Sequence, residues 1–257
     1  MRTPKEALKV EGLSIAFGGV KAIQDLSFDV HQGTVHAIIG PNGAGKTTLI
    51  NLVTGIYAPD VGRIALFGAD IAGSAPERVA ALGLGRTFQN LQVCMNMSAI
   101  DNVMIGAHLS LASGLFAGML RLPGLRRADA ACRARALELM DFAGVAQYAT
   151  AQANQLPYGA LKRLEIARAL AASPRLLLMD EPAAGLNQTE TAEIEQLIRR
   201  IAAGGTTVVL VEHDMKLVMG VSDRILVLHY GKRLSLGTTE EVRNHPEVIS
   251  AYLGVAA

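Results

Sequence analysis

Nine consecutive residues constrain this chain more than anything else in it. Gly40-Pro41-Asn42-Gly43-Ala44-Gly45-Lys46-Thr47-Thr48 follow the apolar run Val35 to Ile39 and precede Leu49-Ile50-Asn51-Leu52-Val53. The spacing G-x-x-x-x-G-K-[ST], set between a strand and a helix, is that of a phosphate-binding loop. Glycines let the backbone curl so that several N–H groups face one anion. The helix that follows adds its positive end. Lys46 supplies a fixed cation to the outer phosphates, and the Thr47 hydroxyl is placed to ligate Mg2+. The expectation is a nucleotide-binding protein.

A second acidic feature fits the same chemistry. Leu176-Leu177-Leu178-Met179 is a buried-strand run that ends in Asp180-Glu181-Pro182. In a parallel sheet such a strand delivers its last residues to the carboxyl edge, where ligands bind. Asp180 is expected to hold Mg2+, directly or through water. Glu181 is expected to orient or deprotonate an attacking water. Pro182 ends the strand ladder.

The rest of the chain supplies a frame for these motifs. Val10 to Phe17, Leu26 to Val30, Val35 to Ile39 and Arg63 to Phe67 read as strands. So do Leu176 to Met179, Val208 to Val211 and Ile225 to Leu228. Gln188 to Ala202 reads as a helix, with Ile194, Leu197, Ile198 and Ile201 on one face and an Asn187/Glu190 capping box. Strands alternating with helices imply a parallel sheet in an α/β core. The stretch from about Ser98 to Gln155 is rich in Ala, Leu, Met and Arg and reads as a helical insertion. Within it, Ala128 to Phe142 has helical spacing, with Ala136, Leu137 and Met140 near one face.

Composition limits the alternatives. Lys plus Arg number 24 against 23 Asp plus Glu, a net charge of +1. That balance argues against nucleic acid as a partner. Cys94 and Cys132 form no disulfide framework and belong to no zinc pattern, which fits a reduced, cytosolic compartment. No signal peptide is read at the N-terminus. Asn102 to Leu120 is 19 residues without Asp, Glu, Lys or Arg. The length would span a bilayer. Its interspersed Gly, Ser and His dilute the apolar signal, so a buried or partner-facing helical region is the reading adopted.

Taken together in chain order, these residues resemble the nucleotide-binding subunit of ABC transporters over essentially the whole length. Arg86-Thr87-Phe88-Gln89-Asn90 is similar to that family's Q-loop. Leu156-Pro157-Tyr158-Gly159-Ala160 occupies the signature position, ahead of a helix read as Leu161 to Leu170. Ala184-Gly185-Leu186-Asn187 resembles the D-loop, His213 the switch histidine, and Phe17 the aromatic residue that stacks on adenine. Pro157, Tyr158 and Ala160 depart from the general Leu-Ser-Gly-Gly-Gln, and Asn187 replaces the usual Asp. Leu-Pro-Tyr-Gly, Asp-Glu-Pro-Ala-Ala-Gly-Leu-Asn and the stretch from Glu212 to Ile225 are similar to the branched-chain amino-acid uptake ATPases. The tail from Gly237 to Gly254 fits the same branch.

The resemblance implies a P-loop NTPase core of the RecA-like kind, with a small antiparallel β subdomain and an inserted helical subdomain. It implies one domain over 1–257, with the core and β subdomain in 1–89 and 156–257 and the helical subdomain in 90–155. It implies ATP and Mg2+ as cofactors. Glu181, His213 and Gln89 would be catalytic; Phe17 and Gly40 to Thr48 would bind nucleotide; Thr47, Gln89 and Asp180 would hold the metal. Leu156 to Ala160 would act in trans on the ATP of a second, related ATPase subunit, in a hetero- or homodimer. Two membrane permeases and, indirectly, a substrate-binding protein would complete an importer at the cytoplasmic face of the inner membrane. The helical subdomain would meet the permeases. Arg121, Arg126 and Arg127, in a loop extension from Gly114 to Arg127, would lie near lipid headgroups or a permease; an ordinary solvated basic turn fits them equally. The alternative of similar length and layout is the ATPase of a lipopolysaccharide exporter.

Overall fold

The computed structural model describes residues 5–107 and 123–253, with the side chains of residues 123–127 and 252–253 left aside. Two sheets form its frame. The first is four-stranded and antiparallel, ordered β2-β1-β4-β5, from β1 (Glu6–Phe17), β2 (Val20–His31), β4 (Val61–Leu66) and β5 (Ala69–Asp70). Its strands alternate: Leu8, Val10, Leu13 and Ile15 of β1 turn inward with Ile23, Leu26, Phe28 and Val30 of β2.

The second sheet is six-stranded, ordered β10-β9-β3-β8-β7-β6. It contains β3 (Val35–Ile39), β6 (Leu84–Arg86), β7 (Leu176–Asp180), β8 (Thr207–Val211), β9 (Arg224–His229) and β10 (Lys232–Gly237). Neighbours from β9 through β3, β8 and β7 to β6 pair in parallel, and β10 adds an antiparallel edge. Every residue of β3, β7 and β8 is buried. That is why these strands are mainly apolar rather than alternating, with His36, Asp180 and Thr207 as their buried polar residues: both sheet faces are covered.

The helices are α1 (Lys46–Val53), α2 (Pro76–Ala81), α3 (Ala99–Gly106), α4 (Pro123–Phe142), α5 (Tyr158–Ala171), α6 (Gln188–Ala203), α7 (Met215–Val221), α8 (Thr239–Arg243) and α9 (Pro246–Leu253). Alternate residues of β7 feed two cores. Leu177 and Met179 pack with Val103, Met140, Leu164, Ile194 and Ile198 from α3 to α6. Leu176 and Leu178 pack with Leu49, Leu52 and the inner face of the antiparallel sheet. Asn187 caps α6, and its capping box with Glu190 forms as the spacing requires.

Several expectations need correction. On α4, Ala136, Leu139, Met140 and Ala143 are buried, whereas Leu137 is 41% exposed. A residue one position from Ala136 is turned about 100° away, so it cannot share the face of 136 and 140. The helix after the signature position starts at Tyr158, so Gly159 lies inside its first turn. α4 starts at Pro123, so Arg126 and Arg127 sit on a helix rather than a loop. In the uncharged stretch from Asn102, the first residues complete α3, where the buried Asn102 amide donates to the carbonyls of Cys94 and Ser98 at 3.0 Å each. Residues 108–122, which carry the remainder of that stretch and Arg121, lie outside the described residues. Among the described residues no helix is long and apolar enough to cross a membrane.

Candidate functional site

Register places the chemistry. Ile38 of β3 and Asp180 of β7 both align with Val211 of β8. The carboxyl ends of the three strands therefore stand side by side, and the segments that follow them meet at one edge.

The loop after β3 is tightly seated. A Cβ on Gly40 would stand 2.3 Å from the Leu228 carbonyl oxygen, so no other residue fits. Gly45, with φ of 102°, begins α1 against the carbonyl of Ala22. The N–H of Gly231 donates to the Ala44 carbonyl at 3.0 Å and clips the loop to the β9–β10 turn. The Lys46 ammonium donates to the carbonyls of Gly40 at 2.6 Å and Pro41 at 3.1 Å, so its charge is held within the curl. Burial lowers its pKa, and the charges of Glu181 and Asp180 oppose that shift.

Glu181 has a left-handed backbone, with φ of 50°, an uncommon position for a side-chain-bearing residue. Its N–H donates to the Val211 carbonyl at 2.9 Å. The Gln89 amide Nε2 donates to Glu181 Oε2 at 2.9 Å. His213 Nδ1 lies 3.7 Å from Glu181 Oε1. Both carboxylate oxygens thus have a named neighbour.

Asp180 is paired differently. Its Oδ2 accepts from Arg86 Nη2 at 3.3 Å, and Arg86 Nη1 also reaches Asn51 Oδ1 at 3.1 Å and Thr54 Oγ1 at 3.3 Å. Burial raises the Asp180 pKa, and Arg86 opposes the rise. Arg86, the last residue of β6, thus links β7 through the ion pair to α1 through Asn51.

Asn42 to Thr48, Gln89, Asp180 and Glu181 line a single cleft of about 520 Å3, joined by residues of β2 and by Tyr230. Its donor set is oxygen: the Thr47 hydroxyl, the Gln89 amide oxygen and the Asp180 carboxylate. Among the described residues no cluster of three or more His, Cys, Asp or Glu is arranged to hold a metal. A sparse set of hard oxygens suits a small divalent cation whose other ligands are phosphate and water, so these residues fit Mg2+.

Other expected residues stand apart from that cleft. Phe17 is 45% exposed at the tip of β1, edge-on to Tyr57 with ring centroids 5.3 Å apart. Leu156 is buried, Pro157 is the N-cap of α5 without a side-chain cap, and Tyr158 is exposed. Tyr158 packs on Gly185, and Gly159 packs on Glu190 at the start of α6. The signature segment therefore contacts the D-loop region rather than its own chain's phosphate loop.

Some residues at the site carried no chemical reading from the sequence. Glu212, 1% exposed, accepts from the N–H groups of Ala183 at 2.9 Å, His213 at 3.0 Å and Asp214 at 3.4 Å. It fastens the segment after β8 to the one after β7. A carboxylate directly after an apolar strand, as at Asp180, was the available signal. Lys162 and Glu165 on α5 are also buried. Nothing in a helix that also carries Arg163 and Arg168 marked these two charges as the buried ones.

The chain is similar to known proteins over nearly its whole length. Residues 23–184 match the ABC transporter family, and residues 232–257 match the branched-chain amino acid ATP-binding cassette transporter family. The chain is 44% identical, over 97% of its length and 98% of the relative's, to the high-affinity branched-chain amino acid transport ATP-binding protein LivG of Escherichia coli K12. It is 42% identical over the same shares to BraF of Pseudomonas aeruginosa, which bears the same description. Among solved structures it is similar to the ADP conformation of MJ1267, an ATP-binding cassette of an ABC transporter. The TM-score is 0.83 and the identity 29%, covering 97% of this chain and 99% of that one.

Proposed function

This chain belongs to the ABC transporter family, as an ATPase coupled to transport, and we propose that it powers uptake of branched-chain or closely related amino acids. The observation that carries the substrate class is the near-full-length likeness to LivG and BraF. The match of residues 232–257 to the branched-chain family supports uptake over lipopolysaccharide export.

In the proposed mechanism, Lys46 and the backbone N–H groups of the loop Gly40 to Thr48, other than Pro41, hold the phosphates of ATP. Phe17 stacks on the adenine. Thr47, Gln89 and Asp180 would hold Mg2+, which would neutralise charge on the phosphates. Glu181 accepts a proton from the water that attacks the γ-phosphorus, as the bond to the ADP oxygen breaks. A positioned base of this kind is worth about 10²–10⁴ in rate. Gln89 orients the Glu181 carboxylate, and their 2.9 Å hydrogen bond supports that role. His213 contacts the γ-phosphate from the other side of Glu181.

The pieces that stand apart from the cleft fit an assembly. Leu156 to Ala160 would face the ATP of a second, related ATPase subunit, with the early amides of α5 as donors. The proposed division is into a core with β subdomain (1–89 and 156–257) and a helical subdomain (90–155), and the position of α3 and α4 between β6 and β7 supports it. A groove of about 380 Å3 between α2 and α5 is lined by Ile56, Val79, Leu84, Phe88 and Ala169. We assign it to a helix of one of two membrane permeases, because an open apolar groove suits the apolar face of such a helix. A substrate-binding protein would act through the permeases, and the chain would sit at the cytoplasmic face of the inner membrane.

The test is uptake of labelled leucine, isoleucine and valine by source cells carrying Lys46→Ala, with expression checked. Uptake should fall to the level of cells lacking the chain. Undiminished uptake of all three, with loss of another substrate in a panel, would reject the substrate class and leave the ATPase.

A further inference from the structure

Two buried charges on α5 have no part in the mechanism above. Lys162 is 2% exposed and Glu165 is 5% exposed. Their spacing puts them on one side of the helix, with Tyr158 one turn earlier. The Lys162 ammonium donates to the Gln89 carbonyl at 3.2 Å and, more weakly, to the Glu181 carbonyl at 3.5 Å. The Glu165 carboxylate accepts from the N–H groups of Phe88 at 3.3 Å and Gln92 at 3.4 Å. One turn on, Arg168 donates to the Gln92 carbonyl. One face of α5 therefore grips residues 88–92 by amides on both sides of Gln89 and by the Gln89 carbonyl itself.

Burying an ammonium sacrifices hydration that carbonyls only partly replace. The Tyr158 ring, 5.9 Å from the ammonium, and the more distant charges of Glu165 and Asp180 compensate it further, but among the described residues no carboxylate forms an ion pair with Lys162. As filler of that length, methionine would lose less. The cation joins the backbones of the two residues whose side chains meet across the cleft, Gln89 and Glu181.

We propose that Lys162 and Glu165 are positioning residues for ATP hydrolysis. They fix residues 88–92 on α5 so that Gln89 sets the Glu181 carboxylate, and they tie that pair to the helix whose first turn carries Tyr158, Gly159 and Ala160. The inference rests on the ATPase reading given above. Glu165, Arg168 and Phe88 also line the apolar groove. A shift of α5, driven from its signature end or from the groove, thus reaches Gln89 through backbone contacts.

The test compares ATP hydrolysis and binding of a fluorescent ATP analogue by the complex purified from source membranes through a tag on this chain. Wild type, Lys162→Met, Lys162→Arg, Glu165→Gln and the reference Glu181→Gln are measured, each with its thermal midpoint. Lys162→Met should lose at least about ten-fold in kcat, with KM and analogue affinity within about two-fold of wild type. Lys162→Arg should recover most of the loss, and Glu165→Gln should behave like Lys162→Met. A kcat within about two-fold of wild type in folded Lys162→Met overturns the proposal. So does a loss that appears equally in KM, or one that arginine does not restore. If Lys162→Met does not fold, Glu165→Gln decides by the same threshold. Wild-type turnover no faster than Glu181→Gln would instead bring down the ATPase reading, and the proposal with it.

Discussion

The Gln89 amide donates to the Glu181 carboxylate at 2.9 Å, across 92 residues of sequence. Gln89 lies three residues beyond β6, and Glu181 directly follows β7, so adjacent strands bring the two together. The bond fixes the rotamer of a carboxylate whose own backbone is already held by Val211.

Gln89→Ala should therefore slow hydrolysis without abolishing it. A fall of about 10-fold in kcat, with ATP affinity little changed, is expected because orientation is lost while the base remains. Steady-state kinetics at saturating ATP checks this. An unchanged kcat would remove Gln89 from the mechanism.

Arg86 and Asp180 form an ion pair with side chains 12% and 10% exposed. Arg86→Met leaves Asp180 buried without its cation and should destabilise the fold by about 3 kcal/mol in urea unfolding. The double variant Arg86→Met/Asp180→Asn should regain much of that stability, yet stay defective in Mg2+-dependent hydrolysis. Equal stability of the single and double variants would show that the pair is not what holds β7 to α1.

His36 is buried on β3, and burial, aided by the Arg224 charge, lowers its pKa from 6.5 to about 4. The folded state favours the neutral ring, so between those values the unfolded chain binds more protons. His36 therefore contributes stability that is fully present above pH 6.5 and is lost as pH falls through about 4. A lowering of that size corresponds to about 3 kcal/mol. Urea unfolding at pH 7 and pH 4.5 should show a steeper loss in wild type than in His36→Met. Parallel losses would contradict the assignment.

What was legible in the sequence was local. β3, β7 and β8 announced themselves because strands covered on both faces are mainly apolar, even with His36 inside β3. The phosphate loop and Asp180-Glu181 could be read because each is a contiguous segment with its own chemistry. β6 escaped because Leu84–Arg86 is only three residues long. β10 escaped because Lys232 to Ser235 lies at a sheet edge and carries little apolar signal. Leu137 was misplaced because apolar character alone does not fix an angle around the helix. The contacts of Arg86 with Asp180 and of Lys162 with Gln89 join segments 94 and 73 residues apart. Nothing in either segment alone marks its partner, so only the folded arrangement reveals them.

In the proposed mechanism Glu181 is the base of an ATP-driven transport subunit. The most direct test is Glu181→Gln in the complex purified from source membranes. Hydrolysis should fall by at least about ten-fold, while ATP stays bound and the paired ATPase subunits remain locked together. Hydrolysis at the wild-type rate, or loss of ATP binding in a folded variant, would contradict the account.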